Sequence, residues 1–164
     1  MPCVLSLLLS LFAGVALDGV ASALEPGRPL GRVISDDLLG ALCVFAEARS
    51  EPYEGQVAVG CVIRNRTKAK FFSLGTVAST IAMPYQFSWM NTSDTQRARV
   101  LSALWEDPAF KVALEAWAAS EHTNPVGDAL FYHADYVSPY WSRAQSVEFV
   151  KRIGRHLFYR RIGQ

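Results

Sequence analysis

Charge of either sign is scarce and evenly balanced: 16 Lys and Arg stand against 15 Asp and Glu in 164 residues, a formal charge of +1. That balance provides no basic field of the kind that holds nucleic acid. Three Cys are too few for the disulfide scaffold of a small secreted protein. The three His (His122, His133, His156) are scattered and no H-E-x-x-H occurs, so no zinc-ligand set is legible and no metal is expected. G-x-S-x-G and a glycine-rich phosphate loop are both missing, which leaves neither a serine-hydrolase elbow nor a nucleotide cradle, and no cofactor is expected. With 11 Gly and 8 Pro the chain is neither collagen-like nor of low complexity. What it does have is apolar and aromatic matter, 51% and 12%, enough for one domain with a core.

The longest uncharged apolar run, Cys3–Leu17, has fifteen residues, short of the ~20 that a membrane-spanning helix needs. It is followed by Ala21-Ser22-Ala23, an A-x-A site of small residues. Residues 1–23 therefore read as a signal peptide, with an uncleaved anchor as the alternative, because the positive n-region is the α-amino group alone. Cleavage leaves 16 basic and 14 acidic residues, a formal +2, and retains Cys43 and Cys61. An exported protein, periplasmic or extracellular, is expected. Residues 24–35, with Pro26, Gly27, Pro29 and Gly31, read as an extended lead-in. Residues 36–164 read as one folded domain.

Within that domain, Leu38, Leu39, Leu42, Phe45 and Ala46 recur at helical spacing and predict a helix over Asp36–Arg49. Pro52 ends it and suits the first turn of an apolar second helix running to about Arg66. Thr76 caps a short helix Val77–Met83, Tyr85–Thr92 reads as an aromatic loop, and Ser93 or Asp94 opens a helix to about Trp105. Asp107-Pro108 caps another over Ala109–Ser120. Ala129–Ala134, Val147–Ile153 and His156–Arg161 are β-like, the last two joined by a tight turn at Gly154-Arg155. Helices first and a small antiparallel sheet last make an α+β domain, mostly α.

Carboxylates cluster at the link between the first two helices. Glu51 and Glu54 lie near a helix N-terminus, where the dipole favours their charge, and read as surface capping groups. Glu47 sits among Ala46 and Ala48 near a helix C-terminus, where the dipole disfavours its charge. An apolar setting of that kind is expected to raise its pKa, as a general acid requires. A salt bridge to Arg49 or Arg66 explains the residue equally well. Cys43 and Cys61 fall where antiparallel helices could bring them level, so they are either bridged or two buried thiols.

The segment Ala46–Arg66 (AEARSEPYEGQVAVGCVIRNR) strongly resembles the signature of the SleB/CwlJ-type cell wall hydrolases, the spore-cortex-lytic family. Gln86-Phe87-Ser88-Trp89, Ala129–Ala134, Pro139-Tyr140-Trp141 and Ile153–Tyr159 resemble that family's later blocks in the same order. The likeness runs from about Leu38 to Arg160, and departs where Ser50 replaces the family's usual Gly. It implies that 36–164 is a cell wall hydrolase catalytic domain, a lysozyme-like or lytic-transglycosylase-like helical fold with a small antiparallel sheet near the C-terminus. It also implies Glu47 as the catalytic acid, acting on peptidoglycan glycan strands between N-acetylmuramic acid and N-acetylglucosamine to leave 1,6-anhydromuramoyl ends.

A two-carboxylate muramidase is the alternative, with Glu54 as the second carboxylate, since ordinary glycosidases need a pair ~5–9.5 Å apart. A phage-type exported endolysin and a wall amidase are further alternatives. Aromatic faces and amides grip sugar polymers, so Gln86, Phe87, Trp89, Tyr132, His133 and Trp141 are the expected substrate contacts, with core packing the competing role for Phe87 and Trp141. Of Tyr132 and His133, which alternate on a strand, the exposed one is expected to line the cleft. Asn65 and Arg66 are expected to fix the end of the second helix. A monomer is expected.

Overall fold

In the computed structural model, which describes residues 35–90, 100–102 and 107–163, the domain begins with helix α1 (Asp36–Ala48). Asp36 and Asp37 occupy its first turn, where the dipole favours negative charge. Every residue from Leu39 to Phe45 is buried, so the middle of this helix is wrapped on all sides. Helix α2 (Tyr53–Lys68) starts directly after Pro52 and runs two residues beyond the expected end at Arg66. Helix α3 (Val77–Ile81) carries the expected Thr76 cap, closed by Ser79, and stops two residues before Met83. The expected segments at 1–23 and 24–34 lie outside the described residues. So does most of the helix expected from Ser93 or Asp94 to Trp105, of which 100–102 are helical.

Helix α4 (Pro108–Ala119) packs against both α1 and α2. Its start is as read: Asp107 Oδ1 accepts from the Ala109 N–H at 2.9 Å, and Pro108 takes the first position. Gly40 marks the close approach of α1 to α4, since a Cβ there would fall on the Trp117 indole. Glycine's lower helix propensity, about 1 kcal/mol, is the cost of that contact. The Trp117 indole N–H donates to Asp37 Oδ1 at 3.0 Å, so the buried ring has its polar atom met.

Strands β1 (Phe131–Ala134), β2 (Val147–Ile153) and β3 (His156–Arg161) form an antiparallel sheet in the order β1-β3-β2. Phe131 pairs with Tyr159 and His133 with Leu157; a bulge interrupts β2 between Phe149 and Lys151. The β2–β3 turn falls at Gly154-Arg155 as expected. Gly154 takes φ +58°, and a Cβ there would strike the Glu51 carboxylate and Pro52. One face of the sheet sends Tyr132, His156 and Phe158 towards one another. The other carries Phe131, His133 and Tyr159, with Phe149 and Trp141 against them. The architecture is α+β and mostly helical, as read from the sequence.

Both cysteines are buried and free. The Cys61 thiol donates to the Thr123 carbonyl at 3.1 Å, and burial pushes its pKa up to about 11. Of the two states left open, buried thiols are the one the fold adopts.

Candidate active site

Glu47 lies in the last turn of α1 and is half-buried. Cys43 is one turn before it on the same helix, hence on the same face. Tyr132, 85 residues further on in β1, donates its hydroxyl to Glu47 Oε2 at 3.1 Å. Burial, and then the Glu47 charge, raise the Tyr132 pKa well above its ordinary value. The phenol therefore stays protonated and remains a donor. The Cys43 thiol is likewise pushed well up by burial and by Glu47. It stays a thiol, and its sulfur accepts from the Trp89 indole N–H at 3.5 Å.

Arg66, in the last turn of α2, completes the cluster. It is 7% exposed, donates from Nε to the Leu130 carbonyl at 2.7 Å, and lies 5.1 Å over the Phe87 ring. Burial lowers its pKa, opposed by Tyr132, Cys43 and Glu47, and the guanidinium remains a cation. Its Nη1 is buried and meets no acceptor among the described residues. The carboxyl of Glu47 thus shares one electrostatic environment with a phenol, a thiol and a buried cation. Sequence reading placed Arg66 only at a helix end. Its one signal was a charge at the close of an otherwise apolar helix. Arg49, the other candidate ion partner, turns back to the Ala46 carbonyl at 3.2 Å and lies over Phe45.

Several expected site residues play other parts. Phe87 and Trp89 were expected at the surface of a loop, and they are buried at 1% and 3% exposure. The loop folds inward through a 3-10 turn (Ser88–Met90), and the two rings pack beneath Arg66 and Cys43. Burying two large rings is worth more than displaying them, and the indole finds a partner below the surface. Gln86 is half-buried, while Tyr85, at φ +65°, is the exposed ring of that segment.

Tyr132 and His133 do point to opposite faces, but neither is fully exposed. Tyr132 reaches Glu47. His133 stacks on Tyr159 at 5.3 Å and meets Trp141 edge-on, on the face away from Glu47. Its Nδ1 lies 2.9 Å from the Ala134 carbonyl, which can only accept, so Nδ1 carries the proton and Nε2 accepts from the Tyr159 hydroxyl. Trp141 is half-buried, as expected of a ring shared with the core. Asn65 donates to the Gly127 and Ala129 carbonyls and ties α2 to the approach of β1.

The two other carboxylates separate. Glu51 was expected as a surface charge and is buried: its Oε2 accepts the Arg155 N–H at 2.8 Å, clamping the β2–β3 turn to the α1–α2 link. Glu54 is exposed and paired with Lys151 at 2.8 Å. Among the described residues no three His, Cys, Asp or Glu side chains form a group that could hold a metal ion. No helix among them is long and apolar enough to cross a membrane.

His156 is buried between these parts, its ring 5.0 Å from that of Tyr132. Burial lowers its pKa, against the raising effect of Glu51 and Asp135 and with that of Arg155 and His133. The unfolded chain then takes up the proton first as pH falls below ~6.5, so stability is full above that value and is lost as pH falls towards the folded pKa. Thermal melts should show Tm dropping across this window, and His156→Gln should flatten the slope there. An unchanged slope would remove His156 as its source.

Residues 50–159 match a family model described as cell wall hydrolase. The matched span begins three residues after Glu47. The spore cortex-lytic enzyme of Bacillus subtilis is 35% identical over 146 residues, covering 83% of this chain and 41% of that protein. That of Oceanobacillus iheyensis is 35% identical over 140 residues, covering 79% and 43%. The chain thus spans about two fifths of the length of these curated relatives. Among solved structures, the catalytic domain of the germination-specific lytic transglycosylase SleB from Bacillus anthracis superposes with a TM-score of 0.58 at 29% identity, covering 82% of this chain and 98% of that one. The catalytic domain of Bacillus cereus SleB gives 0.55 at 29%, covering 84% and 95%.

Proposed function

The chain belongs to the cell wall hydrolase family, and from that premise we propose that it cleaves peptidoglycan glycan strands with Glu47 as its acid and base. The observation that carries this reading is the hydrogen bond from Tyr132 to Glu47 Oε2, which fixes a half-buried carboxyl at the meeting of α1 and β1. The Glu47 carboxyl protonates the glycosidic oxygen as the bond to N-acetylmuramic acid breaks through an oxocarbenium-like state. The carboxylate left behind is orientated by Tyr132 and stabilised by the Arg66 cation. It then accepts the proton of the muramoyl C6 hydroxyl as that oxygen attacks C1 and closes a 1,6-anhydro ring. Such a substrate lies outside the cytoplasm, in keeping with the export signal read at residues 1–23.

One carboxyl group suffices for this sequence. Glu54, the second carboxylate of the alternative muramidase, is held by Lys151 at the surface, and Glu51 is occupied by the Arg155 backbone. Glu54→Gln should therefore retain the wild-type rate and products. Its stability should fall by no more than about 1 kcal/mol, the scale of an exposed ion pair. Mass spectrometry of muropeptides released from purified sacculi should find 1,6-anhydromuramoyl ends for both proteins. Reducing muramic acid ends, with a ~10²-fold loss in Glu54→Gln, would establish the two-carboxylate muramidase instead.

A further inference from the structure

A groove of about 770 Å³ opens where the C-terminal end of α2 faces the approach to β1. Asn65 and Leu130 lie at its inner end, and both adjoin the Glu47 cluster. Asn65 precedes Arg66, and the Leu130 carbonyl receives the Arg66 Nε–H. Leu130 already pairs with Tyr159 in the ladder and stands two residues before Tyr132, hence on the same side of the ribbon and about 7 Å along it. The groove therefore begins one side-chain step from the Tyr132–Glu47 contact.

Its charge is one-sided. Lys68, Lys70 and Arg161 line it, and none has a carboxylate within 4.0 Å among the described residues. The acidic wall residue, Asp128, lies 3.8 Å from Arg160. Phe71 and Phe72 supply an apolar wall beside the cations. Lys70 and Phe72 both hold left-handed backbone, φ +50° and +48°, a conformation side-chain-bearing residues adopt only where the surroundings fix it. An N-acetylated glycan backbone carries no charge, so three unpaired cations have no role towards the sugars alone.

We propose that this groove binds the carboxylate-bearing peptide stem that branches from the muramic acid of the strand. The proposal rests on the glycan-cleaving reading and adds a substrate class to it: strands that carry acidic stems. The volume lies within the ~300–1,000 Å³ typical of small-ligand sites, room for a short peptide. Alanine methyls of the stem meet Phe71 and Phe72, and its free carboxylates meet Lys68, Lys70 and Arg161. The position beside Glu47 presents the muramoyl C1 to the acid while the stem leaves along the groove.

Calorimetric titration with the free tetrapeptide L-alanyl-γ-D-glutamyl-diaminopimelyl-D-alanine tests this without turnover. Wild type should bind it, and affinity should fall about fivefold to tenfold in Lys68→Gln/Lys70→Gln, the scale of two exposed ion pairs. Arg161→Gln, on a separate strand, should weaken binding in the same direction. Amidating the peptide carboxylates or raising the salt should reproduce the loss. Lys111→Gln, an exposed cation on α4 outside the groove, should bind as wild type does. Equal affinity for the amidated peptide, an unaffected double variant, or a polyglycerol-phosphate oligomer binding as well as the peptide would overturn the proposal. So would absence of peptide binding by an enzyme that cleaves sacculi, which leaves the glycan reading standing. Peptide binding by a protein that leaves the glycan intact would uphold the groove and overturn the cleavage.

Discussion

Glu47→Gln should fold as the wild type does and clear purified sacculi roughly 10²–10⁴-fold more slowly, the usual contribution of a positioned general acid. Glutamine is nearly isosteric with glutamate, and its amide oxygen can still accept the Tyr132 hydroxyl that now reaches Oε2 at 3.1 Å. It has no proton to give to a leaving oxygen and no basicity with which to take one from the C6 hydroxyl. Tm should therefore change little while turnover collapses, a combination that separates chemistry from folding. Glu47→Asp tests the same point from the other side. It keeps the acid but withdraws it by one methylene from Tyr132, and a displacement of about 1 Å costs on the order of 10²-fold. A Glu47→Gln enzyme that clears sacculi at the wild-type rate would end the assignment of Glu47.

The parts of this domain that could be read in advance are those governed by neighbours in the chain. Leu39, Leu42 and Phe45 recur at the helical period because one helix buries them, and α1 appears one residue short of its expected end. Val147–Ile153 and His156–Arg161 fall where alternation and Gly154 place them, because a two-residue hairpin turn depends only on local dihedrals. Glu47 stood out for a similar reason: a carboxylate among alanines at a helix C-terminus is locally out of place. The rest is set by contacts between distant residues. Arg66 is defined by Leu130, 64 positions away, and Glu51 by the Arg155 backbone, 104 away. No local pattern announces either bond. Phe87 and Trp89 show the same limit in reverse. Loop composition suggested display, but only the packed fold reveals that Cys43 and Arg66 lie above them to be supported. Alternation predicted that Tyr132 and His133 would part, and the helices' position decided which of them met Glu47.

Arg66→Met should destabilise the domain by about 2–4 kcal/mol and slow the reaction beyond what that loss explains. The Leu130 carbonyl would lose its donor inside the protein, at roughly 1–3 kcal/mol. The contact over Phe87 would add about 0.5–2 kcal/mol. Methionine fills most of the same space, so a cavity adds little. Against a total stability of about 5–15 kcal/mol this is a large fraction, and Tm should fall by ~10 °C. The effect on catalysis has a separate signature. Arg66 touches neither leaving group nor nucleophile in the proposed reaction; it acts as a positioning residue, through the field it places on the Glu47 carboxylate. Without that cation the carboxylate formed after proton transfer is less favoured, and the pH–rate profile should move to higher pH. Arg66→Lys, which retains the charge and loses the planar fork, should restore much of the profile while recovering less of the Tm. Measured well below the lowered Tm, an Arg66→Met enzyme with the wild-type pH profile would reduce Arg66 to a structural strut and leave Tyr132 as the partner that sets the Glu47 chemistry.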